Sequence, residues 1–410
     1  MKQTIPHRVV LGAKRRQFGL SLIELMVAIT IGMLVVAALL ALYLNITRTN
    51  TEMARTNRLI ENGRFAMQLL QNDIVHAGFW GEYVPPYDDL TVIAANPPGL
   101  PTGIPDPCTA LGSWNAAYQN NLVGIPVQGY DANPPTGCVT NFGTDRAANT
   151  DTLVVRHAET CLPGVGNCEA DDPDKVYFQT ALCALQGSAY RVATGEAIDL
   201  GGANTLYKRD CIGTGTPPAL PITGGTPADK RKVISNIYYV RNLPGTAGDG
   251  VPIPTLMRSS FDVDQHAAGQ PLIEGIEAFR VEYLIDNANA CGAANYALSN
   301  SPRLNPASCA VDAVAANNTL PSNRGDGVPD AVCYAETCSA NDLMNVVAVR
   351  LHVLARNLEP TPGFVDSKVY TLGDLIIDSN ALSAAERRYK RHVFSTTVRL
   401  HNISGRRETP

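Results

Sequence analysis

The sequence lacks the motifs that would indicate an enzyme. No Gly-x-Ser-x-Gly elbow, His-Glu-x-x-His helix, phosphate-binding loop or dinucleotide-binding Gly motif stands in a convincing context. Five histidines fall in or beside strand-like segments, and none is paired at metal-ligand spacing: His157, His266, His352, His392 and His401. The formal net charge is −5 over 410 residues, which leaves no basic excess for a broad nucleic-acid surface. We therefore predict a non-enzymatic protein with no nucleic-acid partner.

Charge is also scarce along one stretch near the N-terminus. Residues 1–19 contain five basic residues and no acidic one, and Glu24 is the only charged residue from Leu20 to Leu44. At about 1.5 Å per residue, a helix over residues 20–44 would reach about 38 Å, enough to cross a bilayer core of about 30 Å. A carboxylate inside such a helix costs roughly 2.5–3.5 kcal/mol in lipid, so Glu24 is expected to have a partner.

A glycine lies at the boundary between the basic segment and the apolar run. A secretory signal places its cleavage site after the apolar stretch, whereas Gly19 precedes it, so cleavage there would retain the helix. Gly19 followed five residues later by Glu24 resembles the class III signal peptide of type IV pilins and pseudopilins. The resemblance implies that a prepilin peptidase cuts between Gly19 and Leu20 and methylates the new amine of Leu20.

This resemblance also suggests a partner for Glu24. The new α-amine at Leu20 of one subunit would place a cation near the carboxylate of a neighbouring helix. A charge-assisted pair of this kind, in a low dielectric, would offset the cost of burying the acid. The alternative is a plain signal anchor in which Glu24 reaches the membrane interface.

All ten cysteines follow the apolar run. An even number on the exported side of a membrane favours disulfides over free thiols. No pair of Cys-x-x-Cys motifs is present, which argues against a zinc site. Connectivity does not follow from the sequence, but short spacing favours three candidate pairs: Cys161–Cys168, Cys333–Cys338 and Cys291–Cys309. Cys108–Cys138 is a fourth candidate, which would hold together the irregular region at residues 84–149.

The apolar run is predicted to continue as an amphipathic helix. Residues 45–77 contain no Pro, and Met53, Ile60, Met67 and Ile74 recur every seven residues. Such a stripe is typical of a helix packed on its own domain. Gly and Pro residues after position 77 then end the helix.

The rest of the chain predicts a β-rich head. Short apolar or alternating runs bounded by Gly and Pro favour antiparallel strands, at residues 152–157, 175–179, 189–192, 233–240, 255–258, 272–285, 346–354 and 392–400. Residues 84–149 and 213–229 are rich in Pro and Gly and are predicted to be irregular insertions.

The predicted chain therefore has four parts. Residues 1–19 form a removable leader, residues 20–44 the membrane half of the helix, residues 45–77 its amphipathic half, and residues 78–410 the head. The fold class is α+β and type IV pilin-like, with a long N-terminal helix packed on an antiparallel sheet.

Two stretches resemble the PilW-type minor pilins, and the resemblance is dense over residues 13–81 and 271–402. It includes the segment from Arg58 to Gly81, the strand at residues 345–350 and the closing strand at residues 394–399. It implies a minor pilin that primes pilus assembly in a tip complex. The implied partners are prepilin peptidase, other minor pilins and the major pilin, with a tip adhesin as a further candidate. The head would face the periplasm from the inner membrane before assembly and lie on the pilus afterwards.

Two other functions stay open beside that one. One is a large pseudopilin of a type II secretion system, which would share the leader and the helix. The other is a tip-borne surface binding or adhesion module, in which the two insertions contact another cell or a host.

A candidate cation site lies between the predicted strands at residues 272–285 and 346–354. Residues 322–330 look like the second half of a calcium loop of the Asp-x-Asp-x-Asp-Gly type, with Asp326 and Asp330 as ligands. Calcium takes six to eight oxygens, and a Gly allows the sharp turn between them. Arg324 falls at a ligand position, however, so a plain Gly/Pro turn is the alternative.

Overall fold

In the computed structural model, two units are distinguished, Met1–Ala54 and Arg55–Pro410. The structure describes residues 21–87, 99–131, 138, 146–199, 205–213, 222–244, 250–286 and 327–407. The longest element is helix α1, Leu22–His76, and the two units are described separately below.

The first unit contains the apolar part of α1. Every side chain from Ser21 to Thr51 is exposed, although most of them are apolar. The most apolar 18-residue window of α1 has a mean hydropathy of 2.8, so the helix is long and apolar enough to cross a membrane. This result rests on length and composition alone.

In the second unit, α1 buries one face against the head. The buried residues recur at helical spacing and are Leu59, Gly63, Ala66, Met67, Leu70 and Ile74. The predicted seven-residue stripe is therefore confirmed at Met67 and Ile74. It was wrong at Met53, which is 60% exposed, because that residue lies N-terminal to the part of α1 that packs on the head.

Seven antiparallel strands form the first sheet. They are β1 Val127–Tyr130, β2 Thr152–Ala158, β3 Val176–Thr180, β4 Tyr190–Thr194, β7 Lys230–Leu243, β8 Ile253–Ser260 and β9 Gln270–Glu274. The order is β1-β2-β7-β3-β4, and β8 joins β7 to β9. Strand β7 is the centre of this sheet because it pairs with β2, β3 and β8 along different parts of its length.

Four antiparallel strands form the second sheet. They are β10 Ile276–Ile285, β11 Ala331–Tyr334, β12 Val346–Arg356 and β15 Arg391–Arg399, in the order β11-β10-β12-β15. A hairpin of β13 Val369–Leu372 and β14 Leu375–Asp378 packs Tyr370 and Leu372 against Ala278 and Leu354 of this sheet. Both sheets and α1 contribute to one buried cluster, which includes Leu70, Tyr238 and Phe279. The predicted α+β fold, a long helix with an antiparallel head, is confirmed.

The predicted strand at residues 272–285 is two strands in two sheets. Strand β9 ends at Glu274 and strand β10 begins at Ile276. Gly275 separates them with φ +83°, a conformation that other residues rarely adopt. A Cβ at Gly275 would also lie 2.7 Å from the Arg356 carbonyl oxygen. The prediction of one continuous strand was therefore wrong at this residue.

The predicted irregular insertion at residues 84–149 is partly regular. It contains the 3-10 turn Leu111–Ser113, helix α2 Ala116–Gly124 and strand β1. The Asn115 side chain caps α2 by accepting from the Tyr118 amide at 2.8 Å. Buried Arg156 on β2 donates to the Ile125 carbonyl at 3.0 Å and to Gln128 Oε1 at 2.7 Å. These contacts make the described part of the insertion an integral layer of the head.

The remaining elements are short. Strands β5 Ile212–Gly213 and β6 Ile222–Gly224 pair in the second insertion, at residues 213–229. Helices α3 Gly195–Asp199, α4 Ala340–Met344 and α5 His401–Arg407 follow in chain order, with 3-10 turns at Ser379–Ala381 and Glu386–Arg388.

Disulfides join four pairs of cysteines among the described residues. Three of them are predicted pairs, Cys108–Cys138, Cys161–Cys168 and Cys333–Cys338. The fourth, Cys183–Cys211, was not predicted. These two cysteines are the ones left over by the four predicted pairs, so elimination could have found them. The predicted pair Cys291–Cys309 lies outside the described residues.

Gly63 is expected to be the most size-sensitive position on the buried face of α1. A Cβ there would lie 2.1 Å from Cε2 of Phe394. Gly63→Ala should therefore lower the free energy of unfolding by about 1–3 kcal/mol through overpacking, although Ala is the better helix former. Urea unfolding of the full chain in detergent measures the change.

Gly405→Ala is the matched control, because Gly405 is also helical but a Cβ there would meet nothing within 4 Å. That variant should gain up to about 1 kcal/mol. Adding Phe394→Leu to Gly63→Ala should recover part of the loss. Equal behaviour of the two Gly→Ala variants would contradict the close packing at Gly63.

Candidate processing and assembly site

The described structure begins just after the predicted cleavage point. Gly19 and Leu20 lie outside the described residues, so processing between them stays a prediction. Ser21 immediately precedes α1, and Glu24 lies in the first turn of that helix. The geometry of this site can therefore be followed from Ser21 onward.

Glu24 has a hydrogen-bond donor within its own chain. Its Oε2 accepts from the backbone N–H of Ser21 at 3.0 Å. The first amides of a helix have no intrahelical acceptor, and an acidic side chain three residues into the helix can satisfy one of them. The positive end of the helix dipole favours the carboxylate at the same position. Glu24 thus caps α1 and keeps its second oxygen for another donor.

The apolar surface beyond Glu24 offers places for close helix approach. Ala28 and Gly32 are four residues apart and so share one face of α1, and both are exposed. The hydroxyl of Thr30 donates to the Met26 and Val27 carbonyls at 3.0 and 2.9 Å, so this polar group is satisfied within the helix. Small residues on an exposed apolar helix allow another helix to approach closely.

Asp73 attaches the second part of α1 to the first sheet. Its carboxylate contacts His157 Nε2 at 3.0 Å and accepts from Asn236 Nδ2 at 3.0 Å and from the Tyr238 hydroxyl at 2.9 Å. The other ring nitrogen of His157 lies 2.9 Å from the Ala158 carbonyl. Both ring nitrogens of His157 therefore lie within hydrogen-bond distance of an oxygen atom. Asp73 could not be identified from the sequence, because its hydrogen-bonding partners come from the distant strands β2 and β7.

The candidate calcium loop is only partly described. Asp326 lies outside the described residues, and Asp330 is exposed, with its amide donating to the Ile285 carbonyl at 2.8 Å. Fully buried Asp286 accepts from the Gly327 amide at 2.8 Å and lies 3.8 Å from Arg407 Nη1. Asp286 directly follows β10, so its place beside this loop depends on a distant pairing that the loop sequence alone does not reveal.

Among the described residues, the groups of acidic, His and Cys side chains that are close enough to hold a metal ion do not include that loop. The two groups whose ligand atoms lie within 4.8 Å of one another are Asp106 with Cys108 and Cys138, and Glu159 with Cys161 and Cys168. Their sulfurs are in disulfides, so they are poor metal ligands. Calcium at Asp326 and Asp330 therefore stays a prediction.

Two described histidines lie within hydrogen-bond distance of a serine hydroxyl: His352, at 2.8 Å from Ser395 Oγ, and the buried His266. His266 Nε2 lies 3.3 Å from Ser235 Oγ, and Nδ1 lies 3.3 Å from the Ser259 carbonyl. Burial, aided by the charge of Arg156, lowers the pKa of His266 to about 3. Such a ring is a weak general base near neutral pH. We interpret His266 as a packed side chain of the head.

An ion cluster, also missed from the sequence, joins four segments of the head. Arg280 on β10 contacts Asp151 at 2.6 Å, Glu336 at 2.6 Å and Asp374 at 2.7 Å. The hydrogen bonds from Arg280 lower the pKa of the Asp374 carboxyl. The cluster connects Asp151, which precedes β2, and the turns that follow β11 and β13 to β10 in the middle of the second sheet. We therefore assign it a structural role.

Two family models match the chain. Residues 14–40 match the prokaryotic N-terminal methylation motif, and residues 237–402 match the type IV pilus-assembly protein W family. The first match contains Gly19, Leu20 and Glu24, and the second runs from β7 to the start of α5. The resemblance to PilW-type pilins is thereby confirmed.

Whole-chain comparisons add little. No curated protein matches the chain. A type IV-like pilin from Thermus thermophilus is similar, with 13% identity and a TM-score of 0.23, over 64% of this chain and 81% of that one. A match at this TM-score carries no argument about function.

The pH dependence of stability should report the buried state of His266. Because its folded pKa is about 3 and its unfolded pKa about 6.5, the unfolded chain binds more protons between these values. The contribution of His266 to stability should therefore fall as the pH is lowered from about 6.5 towards 3, by up to about 1.4 kcal/mol per unit. Urea unfolding at a series of pH values measures this slope.

His266→Gln should flatten that part of the pH profile, and His401→Gln is the control because His401 is exposed. An unchanged slope in His266→Gln would contradict the assignment of the effect to this ring.

Proposed function

The chain is a type IV pilin-like protein of the PilW type, and from this premise we propose that it is a minor pilin that primes pilus assembly within a tip complex. The observation that carries the proposal is the coincidence of the methylation motif at residues 14–40 with an exposed apolar helix and Glu24 in its first turn. An apolar helix surface of this length needs either lipid or other helices around it. Pilus assembly supplies both environments in succession.

The proposed cellular path follows from the same segment. Prepilin peptidase cleaves between Gly19 and Leu20 and methylates Leu20, while the helix stays in the inner membrane with the head in the periplasm. During assembly, the helix leaves the lipid and packs among the helices of other minor pilins and the major pilin. The Leu20 amine of one subunit then meets Glu24 of another, where a charge-assisted pair is favourable.

A large pseudopilin of a type II secretion system is the competing assembly function. It would use the same leader, helix and Glu24. The match of residues 237–402 to the type IV pilus-assembly protein W family favours the pilus. The proposed position at the pilus tip is also compatible with a binding function of the head.

Intact-mass spectrometry of the protein from membranes tests the processing step. We expect the mass of residues 20–410 plus one methyl group, less the hydrogens lost in disulfides. Gly19→Leu should block cleavage and leave the full-length mass. A wild-type chain that retains residues 1–19 would overturn the pilin proposal.

Complementation of a deletion strain tests the assembly function. Deletion should abolish surface pili and twitching motility, and the wild-type gene should restore both. Glu24→Ala should be cleaved normally yet restore few pili, because the Leu20 amine of the neighbouring subunit loses its partner. Glu52→Ala serves as a matched control, since it removes an acid from the same helix outside residues 20–44.

The outcomes separate the proposals. Normal pili with lost protein secretion in the deletion strain would favour the pseudopilin. Full piliation with Glu24→Ala would refute the pairing of Glu24 with a neighbouring amine while leaving the processing step intact.

A further inference from the structure

Three polar side chains form a line across one face of the second sheet. They are Glu282 on β10, His352 on β12 and Ser395 on β15, which come from three neighbouring strands. Successive residues of a strand point to opposite faces of its sheet. Gln71 of α1 donates to Thr396 Oγ1 at 2.9 Å, so α1 lies on the other face, and Ser395 is exposed on the face turned away from it.

His352 lies between the other two side chains. Its Nδ1 is 2.8 Å from Ser395 Oγ, and its Nε2 is 3.2 Å from Glu282 Oε1. A carboxylate only accepts hydrogen bonds, so this contact places the hydrogen of the neutral ring on Nε2 and leaves Nδ1 to accept from the Ser395 hydroxyl. Nucleophile, base and orienting acid stand in the same order in serine hydrolases.

Exposure falls along this line from the serine to the acid. Ser395 is exposed, whereas the side chains of His352 and Glu282 are 12% and 8% exposed. The turn of the β13–β14 hairpin lies against the acid, since a Cβ at Gly373 would be 2.8 Å from Glu282 Oε1. A substrate can therefore reach the hydroxyl, while the hydrogen bond that orients the ring is shielded from water and strengthened.

Arg350 places a positive charge beside the same hydroxyl. It pairs in register with Thr397, next to the pair of His352 with Ser395, so the guanidinium lies diagonally across from the serine on the same face. Its Nη1 is held by Glu282 Oε2 at 2.8 Å, and its side chain is 43% exposed. A guanidinium there can donate to the oxygen that becomes negative when a hydroxyl attacks a carbonyl carbon.

We propose that Ser395 is an activated nucleophile and that this face of the head hydrolyses short-chain carboxylic esters. Ser395 Oγ attacks the carbonyl carbon while its proton passes to His352 Nδ1, and Arg350 stabilises the oxyanion. The bond to the leaving group then breaks, and the alcohol departs with the proton from His352. Water gives a proton to the same nitrogen and attacks the acyl-serine, which releases the carboxylic acid and returns the proton to Ser395.

Short sequence motifs could not reveal this arrangement. Ser395 and Glu282 are 43 and 70 residues from His352 in the sequence, and only strand pairing brings them together. The contact between Ser235 and His266 is an internal comparison, because both residues are buried and no substrate reaches them. The proposal rests on the head alone and does not depend on the assembly function.

A fluorophosphonate probe tests the nucleophile, because it reacts with serine hydroxyls that a neighbouring base activates. The full mature chain, kept in a detergent without ester bonds, should take up one label, and tandem mass spectrometry should place it on Ser395. His352→Ala should lower the labelling rate about 100-fold or more, since general-base catalysis contributes about 10²–10⁴-fold. Free imidazole should restore part of that loss.

Hydrolysis of p-nitrophenyl butyrate measures turnover in the same preparations. Ser395→Ala should reduce the rate to that of buffer. Glu282→Gln should lower it about tenfold or more, because the amide can donate to Nε2 and favour the other ring tautomer. Ser367→Ala is the matched control, since Ser367 is also exposed but lies before β13, and it should react as the wild type does. Thermal unfolding checks that each variant is folded.

The outcomes decide the proposal. A folded wild-type chain that takes up no label, or takes it up at Ser367 and not at Ser395, would overturn it. Labelling of Ser395 that survives His352→Ala would show an ordinary exposed hydroxyl and would overturn it as well. Labelling without turnover of the ester would refute the hydrolase activity.

Discussion

Burial of one face of α1 is the interaction on which the head depends. Leu70 and Ile74 are fully buried in a cluster that also contains side chains of both sheets. Burying a large aliphatic side chain contributes about 1.5–3 kcal/mol, so this face supplies a substantial part of a typical domain's stability. Since the two sheets meet in this cluster, α1 is part of the core and not an attachment to a finished head.

Polar contacts fix how α1 lies on that core. Apolar packing is non-directional, whereas the Asp73 carboxylate requires His157, Asn236 and Tyr238 at defined positions. The missing side chain of Gly63 lets the Phe394 ring approach the helix closely. Together these contacts select one register and one rotation of α1 among those that hydrophobic burial alone would allow.

Local patterns explain which parts of the fold were predictable from the sequence. The strands at residues 346–354 and 392–400 were found because apolar runs and alternation are properties of a strand by itself. The same rule wrongly predicted β9 and β10 as one strand, because both are apolar and only Gly275 separates them. Strand β1 was missed because its four residues carry little pattern of their own, and its pairing with β2 decides its structure.

The residues of the candidate sites were likewise predictable only where their relation is local in the sequence. Gly19 and Glu24 stand five residues apart, so the sequence alone could bring them together in one motif. The carboxylate of Asp73 meets a histidine 84 residues away, and Arg280 meets an aspartate 129 residues away. Such contacts depend on the completed fold, and no short window of sequence contains both partners.

The capping role of Glu24 changes the energetics expected for its burial. An acid in the membrane part of a helix costs roughly 2.5–3.5 kcal/mol, and a hydrogen bond to a charged group returns about 1.5–3 kcal/mol. The Ser21 amide therefore offsets much of this cost within the chain itself. In the proposed assembly, an amine of a neighbouring subunit would need to supply only the remainder, together with the choice of register. A subunit could then stay in the membrane before assembly and still favour one arrangement when it assembles.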